Sequence, residues 1–259
     1  MTTEHHVSPP APVAKKRPSR ALWWVIGIVV VLAVLVVVAD IAVRAYAQNR
    51  AEAEIADQLP EQVQGDIQVT IGGFSFLTQL IAGSFDEVQL DAPALTVDGV
   101  PVAAHVTAKG VPTDLTKPVG DIQASLTLDQ NAVNRVITLP GDAQLALGDD
   151  VVSYEGDITF LGIDLGYRVT GQVDASGTEV TIQPESATLT QGSNDLNIDV
   201  GSLLQNVTNE PITVCVAEYL PQGASIDSLQ VSQGEATVYL SADDFVLSED
   251  SLRTLGTCP

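Results

Sequence analysis

The feature that most constrains this chain is an uninterrupted apolar run near its N-terminus. Residues Ala21 to Ala39 (ALWWVIGIVVVLAVLVVVA) are 19 consecutive positions without a charged side chain. With a rise of about 1.5 Å per residue, a helix of this length is close to the ~30 Å thickness of the hydrocarbon core of a bilayer. The run therefore predicts a transmembrane helix, which we assign to residues 21–43, with Trp23 and Trp24 at the inner interface.

Basic residues on one side of the run predict its orientation. Residues 1–20 are polar and proline-rich, which is typical of a disordered tail. Four of them are basic and lie directly before the run: Lys15, Lys16, Arg17 and Arg20. The excess of positive charge predicts a cytoplasmic tail, a single-pass anchor in the cell membrane, and a C-terminal part on the extracytoplasmic (periplasmic) side.

The segment after the run leaves a second interpretation open. Ala45-Tyr46-Ala47 has the small-x-small form of a signal-peptidase site, so cleavage after Ala47 is the alternative to a retained anchor. The apolar run is longer than the ~7–15 residues of a cleaved signal, and charges at Asp40 and Arg44 intervene. We favour the retained anchor, and the location outside the cytoplasm follows from either interpretation.

The charge after Arg50 is strongly negative, with 31 acidic and five basic residues. Such a surface repels phosphate backbones, which argues against a nucleic-acid partner. It is also not drawn onto anionic lipid by electrostatic attraction. Solubility is the favoured explanation of the acidity, and a specific cationic partner is the alternative.

The two cysteines, Cys215 and Cys258, lie in the C-terminal part of the chain. In an oxidising compartment such a pair usually forms a disulfide, which would tie the chain end to an interior segment. Two free thiols are the alternative.

The sequence after the anchor divides into a helical stretch and a region of period two. Residues 44–65 are predicted to form a juxtamembrane helix and linker, with the helix ending before Pro60. Residues 66–259 are predicted to form one exported α+β domain, a long curved antiparallel sheet with helices against one face. A change of phase at Leu161-Gly162 predicts a bulge that bends a single strand over 158–173. The other predicted strands are 67–71, 88–97, 100–108, 122–128, 178–183, 187–191, 196–200, 212–216, 229–231 and 236–240.

Turns and short helices are predicted between these strands. The expected turns are Asp98-Gly99, Asp149-Asp150, Ser176-Gly177 and Gln233-Gly234. The expected helices are 76–82, 129–137 with Asp129 as its N-cap, and 201–208.

Catalytic motifs are scarce. His105 is the one histidine after the anchor, and the alternation of its strand places it on the solvent side. The chain has no G-x-S-x-G elbow, and one histidine does not make a histidine-rich zinc site. We therefore predict a protein that is not an enzyme, with no cofactor, metal site or catalytic residue. A pair of carboxylates acting on a glycan is the alternative.

One aromatic segment stands out, because three of the chain's five phenylalanines lie within residues 71–88. It has two interpretations, a strand-to-helix corner buried in the core and an aromatic mouth that admits an apolar ligand. The second interpretation makes six residues candidates for lipid binding at a cavity mouth: Phe74, Phe76, Leu77, Leu80, Ile81 and Phe85.

This segment, GFSFLTQLIAGSFDEVQL, resembles the LmeA-like proteins of the actinobacterial cell envelope. Its FLTQ-x₃-G-x-F-x-x-V spacing is the most specific part, CVAEYLP at 215–221 is similar too, and the resemblance covers about residues 51–258. It implies a fold similar to tubular lipid-binding domains, with a curved sheet wrapped around a helix and enclosing an apolar cavity. It also implies that a phospholipid such as phosphatidylinositol or its mannosides is bound, in support of lipoglycan or envelope lipid maturation. A scaffolding module that recruits envelope biosynthesis enzymes is the alternative.

Overall fold

The computed structural model of the protein describes residues 20–59, 62–136, 144–160, 163–191, 194–196 and 211–258. Six predictions lie wholly or partly outside these residues: the N-terminal tail, the segment over 44–65, the helix over 129–137, the strand over 158–173 with its bulge, the strand over 196–200 and the helix over 201–208. The helices are α1 (Arg20–Gln58), α2 (Phe76–Ala82), α3 (Gln130–Val136) and α4 (Glu249–Arg253), with a 3₁₀ turn at Ala217–Tyr219.

The strands fall into an N-terminal and a C-terminal group along the chain. The first group is β1 (Val63–Gln64), β2 (Gln68–Ile71), β3 (Ser84–Val97), β4 (Val100–Pro112), β5 (Pro118–Asp129), β6 (Gln144–Leu147) and β7 (Val151–Phe160). The second is β8 (Ile163–Ser176), β9 (Glu179–Gln191), β10 (Asn194–Leu196), β11 (Ile212–Cys215), β12 (Ala224–Ser232) and β13 (Glu235–Val246).

The long helix α1 contains the whole apolar run. Among the described residues it is the one helix long and apolar enough to cross a membrane. The contacts of the chain divide into two compact units between Ala42 and Val43. The second half of α1 therefore belongs to the same unit as the strands, which we call the sheet domain (Val43 onward). Within it, Glu52 on α1 accepts a hydrogen bond from the backbone N–H of Val69 on β2, at 2.9 Å.

The strands form two antiparallel sheets. One has seven strands in the order β1-β3-β4-β5-β13-β12, with β2 also pairing with β3. The other has six strands in the order β10-β9-β8-β7-β6, with β11 also pairing with β9. A bridge between Gly177 and Ile226 links the turn after β8 to β12. The predicted α+β class with antiparallel strands is confirmed.

One strand prediction was wrong. The residues assigned to a single bent strand over 158–173 belong to two antiparallel strands, β7 and β8, with Phe160 opposite Ile163. The alternation of apolar residues therefore changes phase between two paired strands, and the bulge predicted at Leu161-Gly162 lies outside the described residues. A two-residue connection and a one-residue insertion both shift the alternation of apolar residues, so the pattern does not distinguish them.

The four predicted turns are confirmed: three fall between two paired strands, and Ser176-Gly177 lies where β8 ends and the chain turns into β9. Asp98 and Gly99 both have positive φ, at 51° and 78°, which is the conformation of a two-residue hairpin turn. The carboxylate of Asp129 accepts a hydrogen bond from the N–H of Ala132 at 2.7 Å, so its role as the cap of α3 is confirmed as well.

The C-terminus is held by a covalent link. Cys215 at the end of β11 and Cys258 are joined by a disulfide with an S–S distance of 2.04 Å. Near it, the bridge between Pro221 and Leu255 pairs the chain end with the segment that precedes β12. The last residues are thereby kept against the sheet domain.

Candidate functional site

The seven-stranded sheet has one apolar and one polar face. Its pairing places Val106 on β4, Ala124 on β5 and Leu240 on β13 side by side. The neighbouring row on the opposite face is polar and contains His105, Ser125 and Tyr239. Because side chains alternate along a strand, these rows divide the two faces cleanly.

One end of the apolar face is packed, and we call it the filled end. Its buried residues form two adjacent clusters that share Phe85 and Val88: Val69, Ile71 and Phe76 in one, and Ala108, Val111 and Val119 in the other. The side chains of Ala47, Ala51 and Ile55 on α1 pack against the first cluster. The filled end is therefore a hydrophobic core made of two helices and the sheet.

The centre of the same face is different, and we call it the open middle. It consists of five half-buried apolar residues: Val106, Ala124, Leu126, Val238 and Leu240. None of them belongs to the buried clusters. A core side chain in a packed interior is almost wholly removed from solvent. Within the described part of the chain, the open middle is thus an apolar surface that the protein covers only in part.

Short helices stand at both ends of this surface. The helix α2 lies against β3 at the end where β5 begins, and α3 follows β5 at the other end. Ala132 of α3 is fully buried, so this second helix is also packed in place. The open middle therefore lies between two fixed ends along the direction of the strands.

The helix α2 is held by hydrogen bonds at both ends. Ser75 is its N-cap and accepts from the N–H of Thr78 at 3.3 Å, and Gly83 ends it in the left-handed conformation with φ 81°. The buried side chain of Gln79 donates to the carbonyl of Gly72 at 3.0 Å and accepts from the N–H of Asp86 at 2.7 Å. Gln79 thus ties the helix to the strand before it and the strand after it.

The loop that leads into α2 is held as tightly. Gly73 has φ 86°, and a Cβ there would lie 2.4 Å from Nε2 of Gln79, so a larger residue does not fit. Its carbonyl accepts a hydrogen bond from Nη2 of Arg44 at 3.0 Å. This bond joins the loop to the first turn of α1 within the sheet domain.

The six predicted mouth residues separate into two groups. Phe76 is 3% exposed and stacks on Phe85 with ring centroids 5.4 Å apart. Leu77 is half-buried and packs with Phe85 against the same cluster. The other three point away from the core: Phe74 is 100% exposed, Ile81 88% and Leu80 46%. Phe76, Leu77 and Phe85 thus pack in the core, as expected of a buried strand-to-helix corner. The role of all six residues as a cavity mouth stays a prediction.

The sequence did not reveal a polar site on the other face. His105 is exposed, as predicted, and its Nδ1 lies 2.5 Å from Oδ1 of Asp91, while its Nε2 lies 3.2 Å from the hydroxyl of Thr107. Asp91 and His105 border a 290 Å³ cavity that Ser125 and Thr127 also line. The His105 and Asp91 side chains are close to half exposed, so the water-excluded environment that strengthens acid–base catalysis is missing. We assign them a cross-strand link.

No metal centre is found in the part of the chain that the structure describes, where no group of three or more His, Cys, Asp or Glu residues is close enough to hold an ion.

The comparison with protein families identifies the chain. The model of the LmeA-like phospholipid-binding family matches residues 38–241. Because this match covers most of the sequence, the chain belongs to that family. The family is defined by lipid binding rather than by a reaction. Neither the search of curated proteins nor the search of solved structures returned a match.

Proposed function

We propose that this protein binds the acyl chains of a phospholipid on the open middle of its seven-stranded sheet. Family membership supports a phospholipid as the ligand. The observation that carries the proposal is the row of half-buried apolar residues with Ala124 at its centre. An apolar surface between two fixed helices gains free energy when a hydrocarbon chain replaces water.

The dimensions of the open middle suit an acyl chain. From Ile122 to Leu128 on β5, a strand at about 3.3 Å per residue extends ~20 Å. One leaflet contributes about half of the ~30 Å hydrocarbon core, so an acyl chain is ~15 Å long in the membrane. A chain laid along the strands therefore fits between the ends that α2 and α3 occupy.

Holding a phospholipid outside the bilayer requires an apolar surface for its acyl chains. Exposing the ~30 methylenes of a two-chain lipid to water costs on the order of 24 kcal/mol at ~0.8 kcal/mol each. Small residues on this face, Ala104 and Ala124 among them, leave room above the sheet for the chain. Leucine and valine on either side supply the contacts.

The location and the lipid class complete the proposal. We place the sheet domain on the periplasmic side of the cell membrane, supported by the basic residues before α1 and by the disulfide. The resemblance of the FLTQ segment to envelope proteins supports phosphatidylinositol or its mannosides as the ligand. The protein would then hold or present this lipid during lipoglycan maturation without catalysing a reaction itself.

A matched pair of variants tests the binding surface. Ala124→Trp fills the open middle, whereas Gln123→Trp places the same side chain on the polar face of the same strand. The full-length protein is purified in detergent, exchanged extensively, and its retained lipid is quantified by mass spectrometry. We expect about one phospholipid per chain in wild type and in Gln123→Trp, and a loss of most of it in Ala124→Trp.

Two results would contradict the proposal. One is a wild-type protein that retains no phospholipid beyond that held by a fragment ending at Gln58. The other is equal retention by both variants. The head group found on the retained lipid decides separately whether phosphatidylinositol and its mannosides are the ligands.

A further inference from the structure

The large apolar side chains that the sheet domain exposes are concentrated at one end. Beyond Tyr46, the exposed large apolar residues in the described part of the chain are Phe74, Leu80, Ile81, Leu115, Val136, Val214, Tyr219, Tyr239, Leu247, Leu252 and Leu255. All but Val136, Val214 and Tyr239 lie in loops and short helices at the end where β3 and β5 begin. Exposed apolar residues clustered in this way mark an interaction surface.

Four of these side chains lie on two segments that are hydrogen-bonded to each other, and we call them the tip: Phe74, Leu80, Ile81 and Leu115. The first three belong to α2 and the loop before it. Leu115 lies in the turn after β4, and Thr113 in that segment donates its backbone N–H to the carbonyl of Gly83 at 3.0 Å. The turn is therefore attached to the end of α2, and the four side chains share one end of the molecule.

The exposure of the tip is built into the fold. The buried side chain of Phe76 packs α2 against the core, and Gln79 hydrogen-bonds to the segments before and after the helix. The loop before α2 requires glycine at Gly73. On this fixed support, Phe74 and Ile81 are left almost wholly exposed. A rigid support holds the large side chains outward, which lowers the entropic cost of binding through them.

The position of the tip along the chain indicates what covers it. Arg44 directly follows the residues assigned to the transmembrane segment, and its guanidinium donates to the carbonyl of Gly73. Phe74 is the next residue. The tip is therefore fastened beside the point at which the chain leaves the membrane, within reach of the surface of the bilayer that holds α1.

The charge at this end is mixed, so its apolar side chains rather than its charge favour a lipid surface. Three of the five basic residues beyond Arg50 lie here, Lys109, Lys117 and Arg253, but so do more acidic ones: Asp86, Glu87, Asp114, Asp121, Asp243, Asp244 and Asp250. Lys109 is also paired with Asp121, with 3.7 Å between Nζ and Oδ1. Lys117 ends the turn that carries Leu115, and a basic side chain beside an exposed apolar one is typical of a segment that lies in a membrane interface.

We infer that the tip inserts into the outer leaflet of the membrane that anchors the chain, so that a lipid passes from this leaflet to the open middle. The inference rests on the proposed function for the ligand and on the predicted span for the location. Phe74 and Ile81 enter the acyl region, and Leu80 and Leu115 lie at its boundary. The filled end then lies between the leaflet and the open middle, so the lipid reaches the open middle along the side of this packed core and not through it.

A single tryptophan reports on insertion in the full-length chain. The protein has two tryptophans, Trp23 and Trp24, and both are replaced by phenylalanine. Phe74→Trp is introduced into this background, and Val136→Trp is the matched control, because Val136 is also exposed and apolar but lies at the opposite end of the sheet. Both proteins are reconstituted into vesicles of phosphatidylcholine and phosphatidylglycerol, with or without brominated acyl chains.

We expect blue-shifted emission from Phe74→Trp and at least twofold stronger quenching by brominated lipid than for Val136→Trp. Emission at the wavelength of a water-exposed indole, without quenching, would overturn the inference. A blue shift without quenching would also overturn it, because a second copy or a protein partner would then cover the tip.

Photocrosslinking separates this inference from the proposed function. A phospholipid with a diazirine on its acyl chain is added to reconstituted full-length protein, and crosslinked peptides are mapped over time. In Phe74→Ser/Ile81→Ser we expect crosslinks at the open middle to appear about tenfold more slowly than in wild type and to reach the same final level. An unchanged rate in the variant would contradict the insertion of the tip but not the lipid site. Wild-type crosslinks at the tip with none at the open middle would contradict the lipid site but not the insertion of the tip.

Discussion

The filled end and the open middle are parts of one apolar face, made by the same strands from the same kinds of residue. At the filled end, Val119 on β5 is 0% exposed and packs with Ala108 and Val111, next to the cluster that α2 and the second half of α1 cover. Ile122 of β5 packs against the cluster of Val119, whereas Ala124, two positions further along the same face, is only half-buried, although its neighbours Val106 and Leu240 are equally apolar. The two regions differ in what lies above the sheet rather than in the sheet itself.

This difference separates stability from function within one surface. Burial at the filled end contributes to the free energy of folding, and a side chain removed there leaves a cavity. The open middle contributes less to the free energy of folding, and its apolar area remains accessible to a ligand. Substitutions in the first region should lower stability whether or not lipid is present, whereas those in the second should change lipid binding first.

The largest effect is expected from Phe76→Ala at the filled end. It removes an aromatic ring that is 3% exposed and stacked on Phe85, so the free energy of unfolding should fall by about 4 kcal/mol. Urea unfolding of the full-length protein in detergent measures it. Phe74→Ala, two residues away and fully exposed, is the control and should change stability by less than about 0.5 kcal/mol. Equal losses in both variants would mean that the ring of Phe76 is not part of a packed core.

A pair of identical substitutions compares the two regions directly. Val119→Ala should cost about 2.5 kcal/mol, since two buried methyl groups are lost and a cavity remains, whereas Val106→Ala in the open middle should cost about 1 kcal/mol. Unfolding is measured after delipidation and again with added phospholipid. Lipid that binds the open middle should raise the stability of wild type and of Val119→Ala more than that of Val106→Ala. Costs that are the same at both positions would show that the open middle is packed.

An intermediate effect is expected from Gln79→Leu, which keeps the volume of the side chain but removes its hydrogen bonds. The carbonyl of Gly72 and the N–H of Asp86 lose their side-chain partner, at a cost of about 2 kcal/mol. Gln123→Leu on the exposed polar face is the matched control. Because Gln79 holds α2, its loss should also move the tip, which hydrogen exchange at the amides of α2 would detect. Unchanged exchange there would show that the caps alone fix the helix.

Much of the sheet could be predicted from local chemistry. Asp98-Gly99 specifies a two-residue turn, and counting outward from its flanking pair, Val97 and Val100, gives the register of β3 and β4 up to Leu95. Beyond that the count fails by one residue, because a bulge at Pro93-Ala94 places Ala104, and not His105, opposite Ala92. Proline has no N–H for the ladder, which explains why the irregularity falls there. The contact between Asp91 and His105 depends on this shift and was therefore missed.

The open middle could not be predicted, for a different reason. Period two assigns Ala124 to the apolar face, but it carries no information about which element, if any, covers that face. The spacing of the FLTQ segment likewise predicts the helix α2 but not which of its side chains are buried. The separation of Phe76 from Phe74 and Ile81 depends on how Gln79 orients that helix against two strands, and those contacts form only in the folded chain.

The smallest effect is expected in the turn that carries Leu115 beside the filled end. The hydroxyl of Thr116 donates to Asp114 at 2.7 Å, and together with the backbone N–H of Thr116 it holds the pKa of that carboxyl below its usual range. Because the folded pKa is the lower one, this bond stabilises the turn at neutral pH, and the stabilisation is lost as the pH falls through the pKa of Asp114. Thr116→Val should raise that pKa toward its ordinary value, which an NMR titration of the carboxyl in detergent-solubilised protein measures. Thr107→Val, on the polar face of β4, is the control and should leave the Asp114 titration unchanged. If Asp114 titrates alike in wild type and in Thr116→Val, the turn is not closed by this bond, and the fixed position of Leu115 within the tip loses its support.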